Sequence, residues 1–417
     1  MSGFAEFNYH DNELFVESVP LKQIADEFGT PCYVYSRSAL TKAYQEFDTS
    51  FANRDHLICY AVKANSNIAI LNLFAQLGSG FDIVSGGELQ RVIKAGGDPG
   101  KTVFSGVGKN ANEMRMALDA NILCFNVESE AELVTLNQIA KDMGKIASVS
   151  LRVNPDVDAK THPYISTGLK ENKFGVPASE AERIYRSAHL YAHVCFTGLD
   201  CHIGSQLTAL EPFMQTSSKM LNLLDTLQSQ GLEIKHLDLG GGLGIRYANE
   251  TPPSIKDYVS MLCASTHQIK QRLLIEPGRS LVGNSGILLT RIEYLKHTAA
   301  RNFAIVDAAM NDLMRPALYD AYHEILPVRK NNGEINSYQI VGPVCETGDF
   351  LGHDRKLGLI GGDLLAIMSA GAYGMSMSSN YNTRPRAAEV MVDKDSIHII
   401  RQRETIDQLI AGEQILS

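Results

Sequence analysis

The sequence predicts a (β/α)8 barrel of the TIM type followed by a mostly antiparallel β domain, itself a β-barrel or sandwich. Three observations carry that prediction. Eight short apolar runs recur between residues 56 and 276, amphipathic stretches of helical spacing lie between most of them, and beyond Arg279 the texture turns to short β-rich runs. Eight strand–helix units over this length match a (β/α)8 barrel. A doubly wound sheet shows the same alternation with fewer strands and stays open on pattern alone.

Taken in order, the first 30 residues contain ELFVESVP, read as an extra strand of the later β domain. The barrel runs are HLICYAV (56–62), FDIV (81–84), TVFS (102–105), ILCFNV (122–127), ASVSLRV (147–153), VCFTGLDC (194–201), KHLDL (235–239) and RLLIE (272–276). Between them, segments such as NIAILNLFAQLG, GGELQRVIKAG and ESEAELVTLNQIAKDMG repeat apolar residues three and four apart, as one buried helical face requires. Several end in Gly, a usual helix stop. The aperiodic stretch 158–179 reads either as a functional lid or as a surface excursion. After Arg279 come GILLTRIEYLKH, NFAIVDAA, HEILPVRK, SYQIVGP, DLLAIMSA, AEVMV and SIHIIRQ, short and separated by turn residues. The expected division is 1–30 joining the β domain, 31–278 the barrel and 279–417 the β domain.

Composition narrows the function classes. The chain has 417 residues, 44% hydrophobic and 20% charged, which excludes intrinsic disorder. Its net charge of −9, without a Lys/Arg block, argues against nucleic acid. No apolar run approaches the ~18 residues of a membrane span. The acidic N-terminus lacks a secretory layout, so a cytoplasmic location is expected. The seven cysteines are scattered without a CxxC pair, against a disulfide framework and against a metal site.

Barrel enzymes place catalysis at the carboxyl ends of the strands. Lys63 follows the first run, in AVKAN, and His202 and Ser205 follow the sixth, in HIGS. GGGLG (240–244) follows the seventh, and EPGR, with Glu276 and Arg279, follows the eighth. Each alone has a bland reading: a solvated lysine, a structural histidine, a tight turn. Together they suggest a cofactor with an aldehyde, a phosphate and a ring. Lys63 would form a Schiff base, Gly240, Gly241 and Gly242 with Ser205 would hold the phosphate, and His202 would lie against the ring. Glu276 would face a ring nitrogen, a set that describes pyridoxal phosphate.

YAVKAN, HIGS, DLGGGLG, EPGR, VDAAMNDLMRPALY (306–319), VCETGD (344–349) and GAYG (371–374) occur in that order. This set resembles the diaminopimelate decarboxylase family, grouped with ornithine and arginine decarboxylases and related to alanine racemase. The resemblance runs from about residue 30 to RQRETIDQLI (401–410). It implies Lys63 as the Schiff-base lysine and Glu276 as the pyridinium partner. Ser205, Gly240–Gly242, the loop Glu276, Pro277, Gly278 and Arg279, and Tyr373 resemble the family's phosphate-side contacts. Cys345 matches the proton donor. Arg279, Arg315 and Tyr319 match the residues on the substrate's distal carboxylate, and Glu346 the one facing its distal ammonium. The resemblance further implies a homodimer in which CETGD reaches the partner's site.

The chemistry is consistent with those roles. An ordinary thiol, with a pKa of about 8.5, is mostly protonated at neutral pH and can donate. Arginines bind a carboxylate with a bidentate geometry lysine cannot reproduce. A substrate without the distal carboxylate would leave them unpaired. The expected reaction is decarboxylation of meso-diaminopimelate to L-lysine. Rival readings are an ornithine-, arginine- or carboxynorspermidine-type decarboxylase, a racemase, and a catalytically dead regulator. Whether Asp82, Ser85, Asn154, Lys173 and Asp307 line the site or only pack is left open by the sequence.

Overall fold

The computed structural model describes residues 6–157, 173–331 and 333–416, so most of the 158–179 stretch lies outside the described residues. Two compact units emerge: Ala43–Ile245 with Thr251–Ser280, and Met1–Lys42 with Arg246–Glu250 and Leu281–Ser417.

In the first unit eight strands pair in parallel: β1 (His56–Ala61), β2 (Gly80–Ile83), β3 (Thr102–Phe104), β4 (Cys124–Val127), β5 (Ala147–Asn154), β6 (Val194–Asp200), β7 (His236–Asp238) and β8 (Arg272–Ile275). Each pairs with the next, and β8 returns to β1 through Leu273↔His56, Leu274↔Leu57 and Ile275↔Ile58, closing the barrel. The predicted runs and the strands coincide because nearly every strand position is buried on both faces, which makes them continuous apolar runs. Leu57, Cys59, Val103, Cys124 and Leu274 form one apolar layer. Toward the carboxyl ends the strands turn polar: Asp82 in β2, Asn126 in β4, Arg152 in β5, Asp200 ending β6 and Asp238 ending β7, all buried. Ser85 caps the helix Gly86–Lys94 by accepting from the Glu88 amide at 3.2 Å, which assigns it a local structural role.

In the second unit a nine-stranded sheet is mostly antiparallel. The long strand Gly286–His297 pairs antiparallel with Asn302–Val306, Leu364–Ile367 and Cys32–Ser36. Phe7–His10, Glu13–Val16 and Val19–Pro20 form a small antiparallel sheet. Phe7, Leu14 and Val16 share a buried cluster with Val34, Ile287 and Val390, so the N-terminal segment is part of this unit's core.

Two elements differ from expectation. Cys32–Ser36 lies past the expected boundary at residue 31, yet it is a β-sheet strand, pairing in parallel with Ala388–Asp393. Its five residues are all buried, a pattern common to barrel and sheet strands, so periodicity could not assign it. The strand Phe350–Gly358 was missed. It occupies the sheet edge beside Ile335–Val341, and its charged sequence GHDRK suits an edge rather than an apolar run. Asp307 is tied into this unit, accepting from the Thr290 hydroxyl at 2.6 Å and the Arg291 amide at 3.0 Å.

Candidate active site

Lys63 sits in a single 3₁₀ turn, Val62–Ala64, directly after β1. Its Nζ donates to Asp82 Oδ2 at 2.7 Å, and Asp82, on the adjacent β2, is fully buried. The other Asp82 oxygen has no hydrogen-bond partner among the described residues.

After β6 the chain carries His202 and Ser205; after β7 it carries the glycine turn. Gly240 and Gly242 have φ of +66° and +110°. A Cβ on Gly241 would lie 2.2 Å from the Glu276 carbonyl oxygen, and one on Gly242 2.4 Å from that of Gly204. Glycine is therefore demanded both by conformation and by close approach. The Gly240 amide donates to Asp238 Oδ1 at 2.9 Å and the Gly241 amide to His202 Nδ1 at 3.2 Å. So two of the three amides expected at a phosphate are used inside the barrel, and these glycines also lock the loops after β6, β7 and β8 together. Arg279 is buried and its Nη2 donates to Ser205 Oγ at 2.8 Å, joining a cation and a hydroxyl beside the same turn.

Since His202 Nδ1 accepts a hydrogen bond, its proton resides on Nε2 in the neutral ring. Burial, then the charges of Arg152 and Lys63, hold the imidazole well below its ordinary value and keep it neutral. Glu276 is buried, 3.9 Å from His202, and its Oε1 accepts from Asn126 at 3.3 Å and Ser105 at 3.4 Å. Burial, then Asp82, Asp238 and Asp200, push the Glu276 carboxyl well above its usual range. An amine on a turn, a cation–hydroxyl pair beside a glycine turn, a neutral imidazole and a buried carboxyl fit the four parts of pyridoxal phosphate.

The remaining predicted residues belong to the second unit. Arg315 opens the short helix Arg315–Tyr319, is buried, and donates from Nη1 to the Tyr247 hydroxyl at 2.6 Å. His323 meets the Tyr247 ring edge-on. Cys345 and Glu346 are adjacent and exposed; the Cys345 amide donates to Asn382 Oδ1 at 3.1 Å, and the Tyr381 hydroxyl donates to Glu346. Tyr373 holds φ of +55°, a left-handed conformation costly for a residue with a side chain and therefore a mark of local constraint.

A family model described as pyridoxal-dependent decarboxylase, pyridoxal binding domain, matches residues 37–283. The chain is 57% identical to a diaminopimelate decarboxylase of Pseudomonas aeruginosa over 98% of its length and 99% of the relative's. It is 56% identical to the one from Vibrio cholerae over 98% and 99%.

The chain belongs to the diaminopimelate decarboxylase family.

Solved structures agree. The diaminopimelate decarboxylase of M. jannaschii superimposes with a TM-score of 0.95 at 39% identity, covering 100% of this chain and 99% of that one. The Helicobacter pylori diaminopimelate decarboxylase complexed with L-lysine gives 0.91 at 43%, covering 94% and 99%. The structure adds residues to which sequence reasoning gave no role: Asn126, Arg152, Asp200, Tyr247 and Asp238, the last of which opens the quoted DLGGGLG motif. Their one available signal was position, since four of them lie within or end predicted strands. Asp82, left undecided by the sequence, is now the partner of Lys63.

Proposed function

We infer that this protein decarboxylates meso-2,6-diaminopimelate to L-lysine and CO2 as a pyridoxal-phosphate carboxy-lyase, the last step of lysine biosynthesis. Identity to diaminopimelate decarboxylases over almost the whole chain carries this reading. When bound, pyridoxal phosphate supplies the electron sink for the bond pair left by departing CO2.

The chain's own groups divide the remaining work. Lys63 would supply the amine, and Asp82 Oδ2, at 2.7 Å, holds its Nζ in direction. Glu276 would serve the ring nitrogen, and His202, neutral with Nδ1 engaged, would offer the ring an uncharged neighbour. Ser205, Arg279 and the loop through Pro277 and Gly278 hold the phosphate with the glycine turn and Tyr373. Arg315, with Arg279 and Tyr319, takes the substrate's distal carboxylate, and Tyr247 fixes the Arg315 fork by its 2.6 Å hydrogen bond. Cys345 returns the proton after CO2 leaves, and Glu346 pairs with the distal ammonium.

The second part of this proposal is a cytoplasmic homodimer in which Cys345 and Glu346 complete the partner's site, with the barrel and β domain as separate structural modules. An exposed thiol next to an exposed carboxylate supports it. Among the described residues no helix is long and apolar enough to cross a membrane.

The test is product formation. Purified protein with pyridoxal phosphate is given meso-diaminopimelate, L-ornithine or L-arginine, and the amine products are resolved. L-lysine from diaminopimelate alone is the expected result. Product from ornithine or arginine alone would keep the fold and overturn the roles of Arg315 and Glu346.

A further inference from the structure

Three carboxyl groups meet inside the barrel. Asp200 ends β6, Asp238 ends β7 and Glu276 follows β8, so three neighbouring strands deliver them to one place. One oxygen from each lies within 4.8 Å of the others, and all three side chains are buried. Asp200 Oδ1 and Asp238 Oδ2 have no hydrogen-bond partner among the described residues. The motif reading gives Glu276 a role; it gives none to Asp200 or to Asp238, although Asp238 opens DLGGGLG.

Arg152 and Lys63 oppose the rise of these acids, yet each already has a carboxylate of its own and burial outweighs them. Lys63 is paired with Asp82 at 2.7 Å, and Arg152 with Glu128 at 3.2 Å, where Glu128 also accepts from the amides of Gly106 and Gly175. His202 and His236 are held neutral by burial, and Cys59, Cys124 and Cys201 are buried thiols whose deprotonation burial opposes. Asn126, Ser105 and the Gly240 amide donate hydrogen bonds but carry no charge. Three buried carboxylates this close cannot all ionise without a compensating cation. Protons are the remaining way to satisfy them.

We propose that Asp200, Asp238 and Glu276 form a proton store behind the cofactor ring, in which Asp200 and Asp238 are positioning residues that keep Glu276 in its acid form until the ring nitrogen arrives. Glu276 then donates. Its Oε–H bond breaks, the ring nitrogen's lone pair takes the proton, and Glu276 keeps the bond pair as a carboxylate facing the new cation. A second proton stays shared between Asp200 and Asp238. The ring nitrogen therefore becomes charged without drawing a proton from solvent. Burial is the first cause that raises all three acids; Asp238 adds to it at Asp200, Asp82 adds to it at Asp238, which reaches about 7, and Asp82, Asp238 and Asp200 add to it at Glu276.

This rests on the role of Glu276 proposed above, and the experiment separates the two. Cofactor binding to the apoprotein is followed by titration calorimetry at pH 8 in buffers of different ionisation enthalpy, which counts protons taken up. Asp200→Asn and Asp238→Asn keep shape but remove the repulsion, so Glu276 is already ionised before binding. Each variant should take up about one more proton per cofactor than wild type, and its affinity should fall up to about tenfold more per pH unit between pH 7 and 9. Equal proton counts would overturn the store.

Melting of the apoproteins checks that the variants fold and carries its own sign. Acids raised in the folded state lend stability at low pH that is lost as pH climbs through their folded values. Each Asn variant should therefore gain stability relative to wild type between pH 5 and 8; a constant difference would overturn the proposal. If Glu276→Gln alone alters binding, Glu276 keeps its role and the store fails; if Glu276→Gln binds as wild type does, the ring-nitrogen role itself fails. A stoichiometric divalent cation in the purified apoprotein would also overturn it, because the metal would then replace the protons.

Discussion

Lys63 is held by an ion pair with Asp82. An exposed lysine is an ammonium ion at neutral pH, useless as a nucleophile. Holding Nζ at 2.7 Å from a fully buried Asp82 fixes its direction at the end of β1. Replacing Lys63 by Ala is expected to abolish both turnover and the covalent absorbance band of the bound cofactor, read by spectrophotometry. Survival of either would remove the assignment. Cys345→Ala acts at a different atom. Turnover should fall by two or more orders of magnitude, in the usual range for loss of a general acid, about 10²–10⁴-fold, while cofactor affinity stays unchanged in a direct titration. Lys63 and Cys345 could be nominated from the sequence because each lies in an ordered motif. Asp82 was not: FDIVSGGE carries no signature, and only the pairing of β1 with β2 brings the two side chains together.

Elements impose their own constraints. The eight barrel strands could be read because burial on both faces writes itself as an unbroken apolar run. The loop ends could be read only as candidates. The GGGLG turn was taken as an anion cradle, and its glycines prove equally necessary for packing against the loops after β6 and β8. Gly242→Ala tests this. With φ of +110° and a carbonyl 2.4 Å from the new Cβ, about 1–3 kcal/mol of stability should be lost, visible as a lower Tm of the holoprotein, along with weaker cofactor binding. An unchanged Tm would mean the turn relaxes freely. The edge strand Phe350–Gly358 shows the opposite case, since a solvated edge needs few apolar residues and leaves little pattern behind.

At the scale of the whole molecule, the proposed dimer makes a quantitative prediction. If Cys345 serves the partner's site, Lys63→Ala and Cys345→Ala homodimers are each inactive, yet mixing and exchanging subunits restores activity. Random reassortment puts half the protein in mixed dimers with one intact site in two, so roughly a quarter of wild-type activity should return. No recovery, with subunit exchange verified by native mass spectrometry, would place Cys345 in the site of its own chain.

The sequence by itself determined the strand count and the order of the loops, and nominated the residues proposed here for a phosphate, an aldehyde and a ring, because these are properties of local runs and short motifs. Only the tertiary structure decided which buried acids meet. Asp82, Asp200, Asp238 and Glu276 are spread over 194 residues; Asp200, Asp238 and Glu276 recur at a spacing of 38, but nothing in that spacing says that their side chains meet. They converge because a closed parallel barrel sends the ends of all its strands to one face. There, low dielectric and short distance bring Asp200, Asp238 and Glu276 into one interacting group.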